Sequence, residues 1–175
     1  MDIWKQFEHN ISHSAAHHLM AIDDLVRKYG YARVSDVARN LNITRGSVSI
    51  SIRPHVEAGL ILQDEHHHLR LSPRGQALVD AIKTKRLLMT RLLSDLLGVE
   101  RGQAEIDACK LEHLLSNHTG ERLVSFMRFM DSNPPAVAEF LTAWRRFDPT
   151  CGHQPADCPS CQTSCLALNV TRKSD

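Results

Sequence analysis

Residues 11–71 carry the pattern that most limits the fold, because three short helical segments are followed directly by two strands. Apolar residues recur at helical spacing in the helical segments, and a polar tip at 64–68 separates the strands. The predicted elements are helices at about 11–26, 36–41 and 44–59 and strands at 60–63 and 69–71. Three helices that end in a hairpin are typical of a winged helix-turn-helix.

Small polar residues and glycines mark the ends of these helices. Gly30 follows the first helix and Gly59 the third, and glycine is the commonest residue just after a helix end. Ser35 is predicted to cap the second helix, and either Thr44 or Ser47 the third, because their hydroxyls can accept from backbone N–H groups. The local signals therefore support the trihelical prediction.

The chain from the second strand to residue 147 predicts helices only. A long helix begins at Ser72-Pro73 and continues to about Leu97, where Gly98 ends it. Three shorter helices are expected at 101–117, 119–132 and 135–147. The predicted fold is mostly α, with a winged helix-turn-helix over 1–75, an all-helical domain over 76–147 and a Cys-rich tail over 148–175.

Composition and missing motifs exclude several classes of protein. At 42% hydrophobic and 23% charged residues the chain can bury a core. Its apolar stretches fall short of the roughly 18 residues that cross a bilayer, and its first residues do not resemble a signal peptide, so we expect a cytoplasmic protein without a membrane partner. It has no glycine-rich phosphate loop, nucleophile elbow or helical His-Glu-x-x-His pattern, so neither an enzyme nor a small-molecule substrate is expected.

A short run in the helical domain, Asp107 to His113, contains the side-chain types of a metal site. On a helix, Cys109, Glu112 and His113 share one face, so a thiolate, a carboxylate and an imidazole can converge on one cation. Glu105 lies one turn before Cys109 and shares that face, which makes it a further candidate ligand. The run predicts a metal-sensing protein.

Four cysteines crowd into the tail. They are Cys151, Cys158, Cys161 and Cys165. In a reducing compartment such spacing favours ligation of Zn²⁺ or a [4Fe–4S] cluster, and a redox-switched disulfide is a third alternative. The sequence leaves open which of these the tail contains.

Four segments occur in an order and spacing characteristic of one protein family. They are Gly30 to Ala38, Gly46 to Ser49, Leu71 to Gly75 and Leu111 to Ser116. From about Ser12 to Arg122 the chain resembles the diphtheria-toxin-repressor and manganese-transport-regulator family of metal-dependent repressors. The resemblance implies a homodimer in which a divalent metal fixes two winged helices for adjacent major grooves of a palindromic operator, and repression of uptake genes.

The resemblance also implies a ligand set that joins the first helix to the helix containing Cys109. The implied ligands are His17, Met20, Cys109, Glu112 and His113. A cysteine and a methionine favour Fe²⁺, ahead of Mn²⁺ and then Zn²⁺, in our ranking.

One departure from the family concerns its second, ancillary metal. Many members place a histidine where this chain has Arg86, and an acidic residue where it has Thr90. Arginine cannot ligate a cation and repels one, so we expect the usual second site to be lost, with Glu105 as a substitute ligand.

DNA contact is expected from the start of the third helix. The candidates are Arg33, Thr44, Arg45, Ser47, Ser49 and Arg53, which offer phosphate anchors and base-edge hydrogen bonds. Ile50 occupies a position where relatives can present a polar base reader, and Pro54 is expected to bend the helix. Several other histidines are predicted to lie at the solvated surface, namely His13, His18, His55 and the cluster at 66–68, and that cluster is also a candidate phosphate contact or adventitious metal site.

Two other functions compete with the metal-responsive repressor. The first is a winged-helix regulator controlled by the cysteine tail, through zinc, a cluster or redox state, with a degenerate Cys109 site. The second is a scaffold subunit that binds partners through its last helices. We expect the apolar side chains after residue 119 to form a dimer interface instead; they are Leu123, Phe126, Met127, Phe129 and Met130.

Overall fold

Seven helices and one β-hairpin make up most of residues 11–112 and 114–147, which are the residues that the computed structural model describes. The helices are α1 (His13–Tyr29), α2 (Val34–Leu41), α3 (Arg45–Glu57), α4 (Pro73–Arg91), α5 (Arg101–Leu111), α6 (Asn117–Asp131) and α7 (Pro135–Arg146). The strands are β1 (Ile61–Gln63) and β2 (Leu69–Leu71), and a π-helical segment, Leu92–Leu96, continues α4. The mostly helical class is confirmed. The described residues divide into one compact unit up to residue 132 and a second from residue 133.

Most helix ends lie where local signals predict them. The Ser12 side chain accepts from the Ala15 N–H at 3.3 Å, and Gly30 ends α1 at a φ of 81° that disfavours residues with a Cβ. Thr44 caps α3, because its Oγ1 accepts from the Ser47 N–H at 3.1 Å.

The second helix begins differently from its prediction. Ser35 lies inside α2, and Arg33 is the N-cap residue. The Asp36 carboxylate accepts from the Arg33 N–H at 3.1 Å, and this bond sets the helix start two residues early. The prediction of Ser35 as the cap is therefore wrong.

The two strands form an antiparallel hairpin with Leu62 opposite Arg70. Its tip is organised by Asp64, whose carboxylate accepts from the backbone N–H groups of His66 and His68 at 2.9 and 2.8 Å. A single bridge from Ala32 to Leu69 attaches the hairpin to the start of α2. The three helices and the hairpin share one apolar core with part of α4.

The centre of that core is α1. Its fully buried Leu19 and Ile22 pack with Val37 of α2, Val48 of α3 and Val79 of α4. Because α4 contributes to this core, the long helix connects the N-terminal part to the helices that follow. Burial of these side chains supplies the main stabilising free energy of this part.

The helix pair after α4 also departs from the predicted boundaries. The predicted helix 101–117 ends at Leu111, and α6 begins at Asn117 instead of residue 119. Ser116 explains the new start, because its side chain accepts from the Thr119 N–H at 3.1 Å. The buried Lys85 of α4 donates to the Leu115 carbonyl at 3.0 Å and so fastens the turn between the two helices.

The second unit contributes α7, which begins with Pro135 in its first turn. The rings of Trp144 and Phe147 stack with centroids 6.3 Å apart and planes 8° from parallel. Among the helices of the described residues, each is too short or too polar to cross a membrane.

Candidate metal centre and DNA-binding face

Helices α1 and α5 meet at a cysteine and a histidine that are far apart in the sequence. The Sγ of Cys109 lies 3.4 Å from Nε2 of His17, although 92 residues separate them. Both side chains are partly buried. Two metal-ligating side chains therefore face each other across two different helices.

His13 adds a third candidate ligand, and the second imidazole, to this pair. The ligand atoms of His13, His17 and Cys109 all lie within 4.8 Å of one another. His13 and His17 are four residues apart on α1, and their ring centroids are separated by 4.3 Å. His13 is exposed, as predicted, and its spacing of four residues from His17 is the sequence signal for a shared site.

These three side chains fit a divalent transition metal. Typical bonds of about 2.3 Å to sulfur and about 2.0 Å to nitrogen place two ligand atoms of a tetrahedral ion about 3.5 Å apart. The observed 3.4 Å between Cys109 and His17 matches that separation. His13 is exposed, so its side chain can close the remaining distance by a rotamer change.

Arg86 of α4 lies beside the same cysteine and binds Glu112. Its Nε and Nη2 donate to the two Glu112 carboxylate oxygens at 2.5 and 2.8 Å, and Nη2 also lies 3.2 Å from Cys109 Sγ. The Glu112 side chain is 0% exposed. The hydrogen bond with Glu112 raises the pKa of Arg86 above its ordinary value, although burial opposes the rise. The Glu112 carboxylate is therefore paired with the permanently charged guanidinium of Arg86.

The other predicted ligands have different environments. Met20 is buried in the apolar core around α1. Glu105 is exposed and forms an ion pair with Arg101 at 3.2 Å. His113 lies outside the described residues, and so do the cysteines at 151, 158, 161 and 165.

A second ionic cluster fixes α1 against α4. Lys83 Nζ donates to Asp23 at 2.8 Å and to Asp24 at 2.6 Å, and Arg27 also binds Asp23. Burial, the largest influence on Asp23, raises its pKa, but the bonds from Lys83 and Arg27 outweigh it and hold the pKa below 3.8. The cluster supports the helix that contributes His17.

The outer face of α3 presents most of the predicted DNA-binding residues. Arg45, Ser47 and Ser49 are exposed, while Val48 and Ile52 on the opposite face of the helix are buried. The helix continues through Pro54 to Glu57. An exposed polar face over a buried apolar face is what a helix requires to enter a groove.

Two other predicted DNA contacts are engaged within the protein. Arg53 pairs with Glu57 at 2.9 Å, and the Arg33 guanidinium lies 3.1 Å from Nε2 of His68 at the hairpin tip. Ile50 is 76% exposed on the same helix face.

His18 of α1 departs from the surface prediction, because it is only 3% exposed and its Nδ1 bonds the Ser14 carbonyl oxygen.

The helical part of the chain, after the hairpin, matches a known protein family. Residues 72–137 match the family described as iron dependent repressor, metal binding and dimerisation domain. The transcriptional regulator MntR of Lysinibacillus sphaericus is 28% identical over 69% of this chain and 86% of its own length. The diphtheria toxin repressor of Corynebacterium diphtheriae is 28% identical over 56% of this chain and 43% of its own.

Solved structures of proteins with related names have a similar fold. T. acidophilum IdeR is 26% identical, with a TM-score of 0.55 over 64% of this chain and 53% of that chain, so the match spans about half of it. The metal-dependent regulator MtsR, at 24% identity and a TM-score of 0.60, has a similar fold.

The fold, the cysteine and histidine site and these relatives define a metal-dependent transcriptional regulator. The relatives are regulators and not enzymes, in agreement with the sequence motifs. By these matches the chain resembles the iron dependent repressor family over residues 72–137, and the regulator MntR and the diphtheria toxin repressor over more than half of its length. The family match ends at residue 137, so a zinc or iron–sulfur site in the tail stays a prediction.

Proposed function

We propose that the protein is a homodimeric repressor that binds palindromic operator DNA when a divalent transition metal is bound beside Cys109. In this proposal residues 1–75 bind DNA, 76–147 bind the metal and form the dimer, and 148–175 form a separate cysteine tail. The protein acts in the cytoplasm. Fe²⁺ is the proposed physiological metal, ahead of Mn²⁺ and Zn²⁺.

The contact between His17 and Cys109 carries the proposal. His17 belongs to α1, the central helix of the DNA-binding part, and Cys109 belongs to α5, within the segment matched to a metal-binding and dimerisation domain. A bound metal supplies a crosslink between these two helices. Such a crosslink limits the positions of α3 relative to the dimer interface, which is how metal occupancy would change DNA affinity.

The surface of α3 supports direct DNA contact. Arg45 stands in the first turn, next to the Thr44 cap, where backbone N–H groups and the helix dipole favour a phosphate. Ser47 and Ser49 lie on the same exposed side and can donate to base edges or phosphates. Arg33, Thr44 and Arg53 are proposed phosphate contacts.

The exposed apolar side chains of α6 support the dimer. Phe126 and Phe129 are exposed on that helix, while Met127 is buried. Aromatic side chains exposed together mark a surface that another copy of the chain can cover.

The test is metal-dependent DNA binding under anaerobic conditions. A duplex is first selected from a random pool with the full chain and Fe²⁺, and its affinity is then measured by fluorescence anisotropy with and without metal. We expect metal to tighten binding, Cys109→Ser to remove that effect, and Arg45→Ala to weaken binding about 10-fold. Arg101→Ala, an exposed arginine on α5, is the matched control and should bind like the wild type.

Two outcomes would contradict the proposal. DNA affinity that is the same with and without metal would exclude metal control. A metal response that survives Cys109→Ser but disappears in Cys158→Ser would transfer control to the cysteine tail, which is the competing function.

A further inference from the structure

We propose that the regulatory cation is held by His13, His17 and Cys109, while Arg86 keeps Glu112 out of the coordination sphere. This inference rests on the proposed function and refines its ligand set. It assigns His13 as a metal ligand and Arg86 as a positioning residue.

Glu112 has little capacity left for binding a metal. Arg86 binds both of its carboxylate oxygens, at 2.5 and 2.8 Å, in a bidentate pair that is among the strongest protein hydrogen-bond arrangements. The Glu112 side chain is fully buried, so an oxygen that left Arg86 would need another partner at once.

His13 is positioned to bind the same cation as His17. It lies one helical turn before His17 and on the same face of α1, with ring centroids 4.3 Å apart. Two imidazoles spaced i, i+4 on one helix are a common arrangement for binding one metal ion. Because His13 stands at the exposed start of α1, its side chain can close on a cation without disturbing the core.

The donor chemistry then indicates which metals bind. A thiolate with two imidazoles suits Fe²⁺, Co²⁺ and Zn²⁺, whereas Mn²⁺ prefers carboxylate, carbonyl and water oxygens. With Glu112 neutralised by Arg86, Cys109 is the anionic donor in this set. The inference therefore changes the order given by the sequence and places Mn²⁺ last, after Zn²⁺.

The experiment is an anaerobic Co²⁺ titration of the full chain, followed by absorption spectroscopy. A thiolate-to-cobalt charge-transfer band reports the Cys109 bond, and the intensity of the visible bands reports the coordination number. We expect His13→Gln to weaken Co²⁺ binding about 10-fold or more and to change the visible bands. His118→Gln, an exposed histidine on α6, is the matched control and should leave both unchanged.

The Glu112 arm uses two variants, because one of them can fail to fold. Glu112→Gln keeps the size of the side chain but leaves the Arg86 guanidinium without its charge partner. The double variant Arg86→Met with Glu112→Leu replaces the ion pair by apolar side chains of similar volume, an exchange that proteins often tolerate. A charge-transfer band and a coordination number unchanged from the wild type in the folded variant support the proposal, because Glu112 then supplies no ligand. The affinity itself can fall by about 10–100-fold, since Arg86 also donates to the Cys109 sulfur and changes beside a ligand weaken metal binding.

The opposite pattern would overturn the inference. Loss of Co²⁺ binding in the Glu112 variants, together with normal binding in His13→Gln, would make Glu112 a ligand and His13 a bystander. Mn²⁺ affinity equal to that of Co²⁺ would also contradict the thiolate and imidazole donor set. These spectra need no DNA, so the ligand set is decided even if metal does not control operator binding.

Discussion

Removing the Arg86 guanidinium should destabilise the metal-free protein, because it leaves a carboxylate buried without a charge partner. Glu112 is 0% exposed and Arg86 34% exposed, and the two side chains share two hydrogen bonds. Breaking a buried ion pair by removing one partner costs about 3–5 kcal/mol, and partial exposure of Arg86 places this pair at the lower end. We therefore expect Arg86→Ala to lower the free energy of unfolding by about 3 kcal/mol, or the Tm by roughly 6–12 °C.

The assay is urea unfolding followed by circular dichroism, with a chelator present so that metal binding does not contribute. Arg91→Ala is the matched control on the same helix, because its ion pair with Asp131 is exposed to solvent. Exposed pairs of this kind contribute about 0.2–1 kcal/mol. Equal destabilisation by the two substitutions, within about 0.5 kcal/mol, would refute the argument that Arg86 neutralises a buried carboxylate.

Two further predictions concern the packing around α1 and α4. A Cβ on Gly75 would clash with the backbone oxygen of Leu60, so Gly75→Ala should cost about 3 kcal/mol of unfolding free energy, measured by urea unfolding. Gly46→Ala, whose new Cβ would make only an ordinary van der Waals contact with Thr44 Oγ1 at 3.9 Å, should stay within about 1 kcal/mol of the wild type; similar losses would contradict the steric argument. The pKa of Asp23 is lowered in the folded state by Lys83, so its contribution to stability is present above about pH 4 and is lost as acid protonates it. Asp23→Asn should flatten this part of the stability profile between pH 6 and about pH 3 in thermal unfolding, and an unchanged slope would contradict it.

The fold was largely predictable from local patterns. Apolar periodicity located the helices, and the caps at Ser12, Thr44 and Ser72 are interactions between residues three apart in the chain. The boundaries that sequence analysis missed depend on equally local bonds that compete with a neighbouring signal. At the start of α2 the Asp36 carboxylate accepts the backbone hydrogen bond, where the sequence predicted a cap by the Ser35 hydroxyl. At the start of α6 the Ser116 cap interrupts a longer helical pattern.

The site was only partly predictable. Spacing along one helix was sufficient to propose Cys109 as a ligand, and the family resemblance implied His17. The use of Glu112 was not determined by spacing, because its partner Arg86 belongs to another helix, 26 residues away in sequence. Sequence analysis treated Arg86 as a lost ligand, whereas the structure shows it as the cation that binds Glu112.

The sequence by itself thus determined the order of helices and strands, the face on which Cys109 lies and the class of protein. These properties follow from interactions within a few residues and from the order of motifs, which can be read from a single sequence. Tertiary structure decided which side chains share the site, since His17 and Cys109 are 92 positions apart and meet only when the chain between them has folded. Packing of α1, α4 and α5 fixes those distances, and the burial of Glu112 that follows makes its charge dependent on Arg86.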